Sequence, residues 1–240
     1  MKLKIDLSKN CSKNIRKTAN IKFIIIHYTG MQSKRASIER LKSKIHKVSC
    51  HYLIDRKGQI IQMVPDNKVA WHAGLSKWKN FKNLNDCSIG IELVNRGLKF
   101  GYQNFSSPQI KKLILLCNII KKKYQIKNSN ILSHSDVAPL RKTDPGEKFP
   151  WFKLKIKGLG IWYPKKLKQF SDLSKIKTRK VFFDNLHKIG YRYFNKNKTS
   201  NRDRLVIKAF QRRFIQDRID GKISQKCLQI SHYLAVKSKN

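Results

Sequence analysis

His27, Glu92, His134, Lys142 and Asp144 are the residue types from which an amide-cutting site is built. Two imidazoles and one carboxylate, His27, His134 and Asp144, suit a single catalytic zinc ion with a fourth position open to water. Such an ion lowers the pKa of its water and polarises a substrate carbonyl. Glu92 would take the proton from that water, and Lys142 would stabilise the oxyanion of a tetrahedral intermediate. Trp71, His51 and His72 would line the cleft as substrate contacts. Either of the two histidines is equally readable as structural.

These residues lie far apart in the chain, so the elements around them must bring them together. His134, Lys142 and Asp144 fall in residues 131–151. There Ile131-Leu132 reads as the end of a short buried strand, and Pro139, Pro145, Gly146 and Pro150 make the remainder turn and loop. The alternative is a surface loop with a histidine and an Asp-Pro turn. His27 closes the β-branched run Ile21–Thr29, a buried strand, on the face shared with Phe23 and Ile25. It is either a satisfied core histidine or a ligand aimed into a cleft. Glu92 sits inside the strand Ser88–Val94, on the face of Gly90 and Val94, opposite Ile89, Ile91 and Leu93. A carboxylate there is costly unless partnered, and partial burial raises its pKa toward the range of a general base. The competing reading is a glutamate on an exposed sheet face.

The rest of the chain supplies scaffold. Residues 1–20 read as a basic arm over the first domain. A helix is expected over Ser37–Lys47, with Ser37 as cap and Ile38, Leu41 and Ile45 on one stripe. Residues 48–64 read as a hairpin turning at Gly58, and Ser107 to about Tyr124 as a helix packing through Leu113, Leu116, Cys117 and Ile120. The loop from Gly74 to Asp86, with Trp78 and Phe81, is a candidate cover for the cleft, with no role assigned to it. Strands alternating with helices predict an α/β fold, a mixed central sheet flanked by helices. From about Ser171 lysine becomes dense. Helices over Phe182–Gly190, Leu205–Phe214 and Ser224–Leu234 then make a small three-helix domain whose aromatic residues are core. The expected domains are 1–172 and 173–240.

Net charge is +40, from 54 Lys+Arg against 14 Asp+Glu, in a chain that is 40% hydrophobic. That charge attracts polyanions, an anionic envelope surface among them. Joint over-use of Lys, Ile and Asn, as AT-rich codons produce, is the rival explanation. No known nucleic-acid motif is present, so no specific nucleic-acid partner is expected. The five scattered cysteines form no Cys-x-x-Cys pair and read as reduced, packed thiols. Residues 1–19 hold no apolar run of signal-peptide length, and oligomeric state is not readable.

At Ile-Ile-Ile-His-Tyr-Thr (His27), Val-Ser-Cys-His-Tyr-Leu-Ile (His51), Trp-His-Ala-Gly (His72), Ser-Ile-Gly-Ile-Glu-Leu-Val-Asn (Glu92) and His134 with Lys-Thr-Asp-Pro-Gly (142–146) and Phe149-Pro-Trp, the chain resembles a known family. It is similar to the zinc-dependent N-acetylmuramoyl-L-alanine amidases of the amidase-2 type, which share their fold with peptidoglycan recognition proteins and phage T7-type lysozyme amidases. The resemblance implies zinc on His27, His134 and Asp144, with Glu92 and Lys142 catalytic. It also implies peptidoglycan or muropeptide fragments as substrate, cut between N-acetylmuramic acid (or its 1,6-anhydro form) and L-alanine. Asp144 stands where the recognition-protein and T7-type branches carry Cys, which resembles the bacterial cell-wall and recycling amidases. Ala209–Phe214 followed by Asp220-Gly221 resembles the signature of a three-helix peptidoglycan-binding domain. The two-domain arrangement resembles the anchored periplasmic branch and implies the periplasm or envelope, whereas the lack of a visible export signal implies the cytoplasm. A catalytically dead peptidoglycan-binding protein on the same fold is the second reading; it would need a lost ligand or a lost Glu92, and none is missing.

Overall fold

The apolar run after Ile21 forms the central strand β2 (Phe23–Tyr28), buried except at its last residue. The computed structural model describes residues 3–167 and 177–238, so the expected domain boundary at 172/173 lies outside the described residues. Around β2 lie β1 (Leu3–Ile5), β3 (Tyr52–Ile54), β4 (Ile60–Gln62), β7 (Ser88–Leu93) and β8 (Ile131–Ser133), in the order β1-β4-β3-β7-β2-β8. A separate ribbon pairs β5 (Lys77–Trp78) with β6 (Phe81–Lys82). β7, β2 and β8 run parallel, and β3 and β4 form the expected antiparallel hairpin, with Gly58 at φ +85° in its turn.

The sheet is covered on both faces, which is why its central strands read as continuous apolar runs rather than alternating ones. Ile24, Ile26, Ile89, Ile91 and Ile131 face helix α2 (Ser107–Lys123), which buries Ile110, Leu113, Leu116 and Ile120 against them. Pro108 opens α2, and the Ser106 side chain accepts the Gln109 N–H. On the other face, Phe23, Ile25 and Leu132 join a core with three C-terminal helices: α5 (Thr178–Ile189), α6 (Arg202–Phe214) and α7 (Gln225–Lys237). Their stripes, Phe182, Phe183, Leu186, Val206, Phe210, Phe214, Leu228 and Leu234, are all buried, and the phenylalanines among them are core, as the sequence reading has it.

Four expectations need correction. The first helix, α1, is Lys34–Lys42 rather than 37–47; Ser33 is the cap, accepting Ala36 N–H, and Ser37 is inside. Ile45 is 88% exposed and belongs to no stripe. The 131–151 stretch is not all loop. It starts α3 (His134–Val137) directly after β8 and ends where α4 (Trp151–Ile156) begins. The N-terminal arm contributes sheet: β1 pairs in parallel with β4, and buried Arg16 donates to the carbonyls of Asp66, Asn85 and Ser88. Finally, the two aromatic residues of the 74–86 loop pack away from the cleft, which neither of them lines. Trp78 is buried against Tyr191, with ring centroids 4.8 Å apart, and Phe81 packs edge-on to Phe23. Gly190, at φ +140°, leaves room for the Trp78 indole that any Cβ would fill. All five cysteines are free thiols, three of them buried.

Candidate active site

The parallel register puts the chemistry at the carboxyl ends of three neighbouring strands. His27 on β2 lies level with Glu92 on β7, on the same face. Ile26 lies level with Ser133 on β8, so the next residue of each strand brings His27 beside His134. α3 begins there because Ser133 and Asp136 form a capping box. The 138–144 loop then doubles back, tied by Lys142 N–H to the Ala138 carbonyl and by Ser135 N–H to the Asp144 carbonyl. That second bond seats Asp144 next to His134.

The three side chains converge. The Nδ1 atoms of His27 and His134 are 2.9 Å apart, and Asp144 Oδ2 is 3.1 Å from the first and 3.0 Å from the second. The surrounding hydrogen bonds decide where the protons are. Ser88 donates its hydroxyl proton to the Leu84 carbonyl at 2.5 Å, so it accepts from His72 Nε2–H at 3.1 Å. Neutral His72 then has only Nδ1 left as an acceptor, for His27 Nε2–H at 3.0 Å. His134 Nε2–H donates to the Ala73 carbonyl at 3.1 Å. Both Nδ1 atoms are therefore bare lone pairs, facing each other and a carboxylate oxygen. Such a set repels itself unless a cation lies among them, and two neutral imidazoles with one carboxylate are a donor set for a divalent metal. The residues fit the ion that the sequence reading expects.

The electrostatics follow from the burial. Burial, helped by the neighbouring His134, pushes His27 down to about 4, and burial with His27 and His51 holds His72 well below its ordinary value. Both rings stay neutral at physiological pH, the form that binds metal. Burial alone would raise Asp144, but the His134 and His27 rings outweigh it and hold the carboxyl well below the usual range. Glu92 goes the other way: burial, with Asp144 nearby, pushes it up to about 8, against the pull of Lys142. Its Oε2 is a buried oxygen with no hydrogen-bond partner among the described residues. All of this opens on a cleft of about 470 Å³ lined by Trp71, His72, Glu92, His134, Lys142 and Asp144, with Tyr28, Arg40 and Arg141 around them.

The sequence pattern of the family Amidase_2, N-acetylmuramoyl-L-alanine amidase, matches residues 17–147. Over 233 residues the chain is 36% identical to the N-acetylmuramoyl-L-alanine amidase AmiD of Escherichia coli (strain K12), covering 90% of this chain and 83% of that one. The chain belongs to the N-acetylmuramoyl-L-alanine amidase family. The solved structure of E. coli AmiD with the substrate anhydro-N-acetylmuramic acid-L-Ala-D-γ-Glu-L-Lys overlays this amidase at a TM-score of 0.78 and 32% identity, over 94% of this chain and 92% of that one. AmpDh3 of Pseudomonas aeruginosa overlays at a TM-score of 0.84 and 28% identity, over 95% and 96% of the two chains.

Among the amidase's expected cleft residues, Trp71 and His72 do line it, whereas His51 does not. His51 is fully buried, accepts the Gly90 N–H at 3.0 Å and faces the Lys68 carbonyl at 3.1 Å. Burial and the Arg16 guanidinium beside it push it down to about 3, so it is a neutral strut of the sheet. His72 is both a cleft wall and the brace of His27. Ser88 and Gly90 are site residues that reading the sequence misses. A Cβ on Gly90 would overlap the His72 ring, so the glycine makes space for the brace. A glycine inside an apolar strand signals some close approach, but not what approaches.

Proposed function

We propose that this amidase hydrolyses the amide between N-acetylmuramic acid, in its ordinary or 1,6-anhydro form, and the L-alanine of a peptidoglycan stem peptide, with one zinc ion held by His27, His134 and Asp144. The observation that carries the reading is the pair of bare Nδ1 atoms and the Asp144 carboxylate, with His27 level with Glu92 and with His134, Asp144 and Glu92 in the wall of one cleft. When bound, zinc supplies a polarised substrate carbonyl and a water of lowered pKa. Glu92, in its carboxylate form, accepts a proton from the attacking water and returns it to the leaving nitrogen of L-alanine. The Lys142 ammonium faces the oxyanion that forms on the carbonyl. Trp71 and Tyr28 offer aromatic walls for a muropeptide, the class of ligand bound to AmiD. The +40 charge favours an anionic envelope surface or fragment as the setting.

The deciding experiment is release of stem peptide from purified ordinary and anhydro-muropeptides, with and without chelator, on protein whose zinc has been counted. Release that stops with chelator and returns with zinc is expected. About one zinc without release from either substrate would favour a peptidoglycan-binding protein on the same fold. Neither zinc nor release would overturn the ligand assignment.

A further inference from the structure

Asp136 takes no part in the proposed chemistry, yet it is fully buried two residues past His134. Its Oδ2 accepts the Ser133 N–H at 2.9 Å, and its own N–H donates to Ser133 Oγ at 2.9 Å, the two bonds that close the capping box of α3. The rest of the carboxylate is satisfied from the far end of the chain. The Tyr191 hydroxyl, just past α5, donates to Oδ1 at 2.5 Å, and the Arg213 guanidinium of α6 pairs with Oδ2. Arg213 is 2% exposed, donates also to the Ile131 carbonyl at 3.0 Å and stacks over Trp151. The C-terminal helices thus grip β8 at Ile131 and α3 at Asp136, on either side of the point where His134 leaves the sheet.

Packing alone does not call for this arrangement. Apolar residues of equal volume fill such a space at least as well as a dry ion pair, whose charges must both leave water. What they cannot supply is direction. A guanidinium and a phenol aimed at one carboxylate fix where that carboxylate points, because charge-assisted hydrogen bonds are short and oriented. The backbone that Asp136 caps is the turn that carries His134.

We propose that Arg213 and Tyr191 are positioning residues for the metal centre: by holding Asp136 they fix the first turn of α3, and so the aim of His134 Nδ1 toward His27 and Asp144. This rests on the reading of His134 as a metal ligand. It makes the C-terminal helices part of the scaffold of the site, whatever else they bind.

The test is zinc affinity, measured by competition with a chromogenic chelator on the full chain, for wild type, Tyr191→Phe, Arg213→Met and Asn185→Ala. Tyr191→Phe removes one hydroxyl and keeps the ring on Trp78. Asn185→Ala removes the bond from α5 to Ser231 on α7, away from Asp136. Tyr191→Phe and Arg213→Met are expected to raise the zinc Kd about 10- to 100-fold, the usual effect of losing support behind a metal ligand. Excess zinc should restore their turnover. Asn185→Ala should lower the melting temperature and leave the zinc Kd unchanged. If Arg213→Met does not fold, Tyr191→Phe decides. An unchanged Kd in Tyr191→Phe would overturn the proposal, and so would an equal rise in Asn185→Ala, which would mark a general loosening. Wild type that binds no zinc would remove the ligand reading itself, an outcome distinct from either.

Discussion

Two carboxylates in one cleft are driven in opposite directions by their neighbours. Asp144, between two imidazoles, stays ionised, while Glu92, with an unpartnered oxygen, is pushed up to about 8. That separation supports the proposed roles, Asp144 as the holder of a cation and Glu92 as the group that exchanges a proton. Glu92→Gln should therefore lower kcat by about 100- to 10,000-fold, the usual contribution of a positioned base, with bound zinc unchanged. Loss of zinc along with turnover would show that Glu92 is a ligand instead. The same variant has a stability signature. A carboxyl whose folded pKa is raised from 4.5 to about 8 favours its neutral form in the fold. Its contribution is intact below about 4.5 and is lost as pH rises through 8. Metal-free Glu92→Gln should accordingly be more stable than metal-free wild type at pH 9, by on the order of a few kcal/mol, with the gap closing toward pH 4.5. Chemical denaturation at the two pH values would measure it; a gap independent of pH would mean that Glu92 is not desolvated. The candidate residues are legible in the sequence because a glutamate or histidine inside an apolar run is conspicuous. The tautomers are not, since they depend on the chain from Leu84 through Ser88 and His72 to His27, and on the Ala73 carbonyl at His134, contacts that nothing in the sequence marks.

At the scale of elements, the site is a consequence of strand register. Parallel pairing of β7, β2 and β8 sets Glu92, His27 and His134 side by side, and a shift by one residue would turn His27 into the opposite core. The brace behind His27 depends on β7 as well, through the space that Gly90 leaves for the His72 ring. Gly90→Ala should displace that ring and weaken zinc binding about 10- to 100-fold, with little change in the sheet, as competition with a chelator and circular dichroism would show. Unchanged zinc affinity would mean that His72 does not orient His27. The α1 boundary went astray because Ser33 and Ser37 are both acceptable caps, and only the structure buries one and leaves the other at the start. The run of prolines after Val137 reads as pure loop because α3 is a single turn, too short to show a helical period.

Across the whole molecule, the core on the face of β2 opposite α2 is shared. Trp78, Phe23, Ile25 and Leu132 from the first part of the chain are buried together with Phe182, Phe210 and Leu228 from the last. The chain should therefore unfold in one cooperative transition, with tryptophan fluorescence and far-ultraviolet dichroism coincident. Two separated transitions would show that the C-terminal helices are energetically independent of the sheet. The composition change near Ser171 marks where the C-terminal helices are expected to begin, but it carries no sign of whether they share a core with the sheet. Trp78 looks like a cleft residue for a similar reason, since a loop aromatic gives no sign of which surface it will meet.

Taken alone, the amino-acid order determines the central strands, the long helices and the residue types of the site, because burial and period are local properties of a few neighbouring side chains. It also carries the motifs by which the family is recognised. Tertiary structure alone decides that His72 braces His27 while His51 holds the sheet, that Trp78 docks the C-terminal helices, and that Arg213 reaches Asp136. Each of these is a contact between segments far apart in the chain, and its partner is chosen by how the layers stack rather than by anything written beside it.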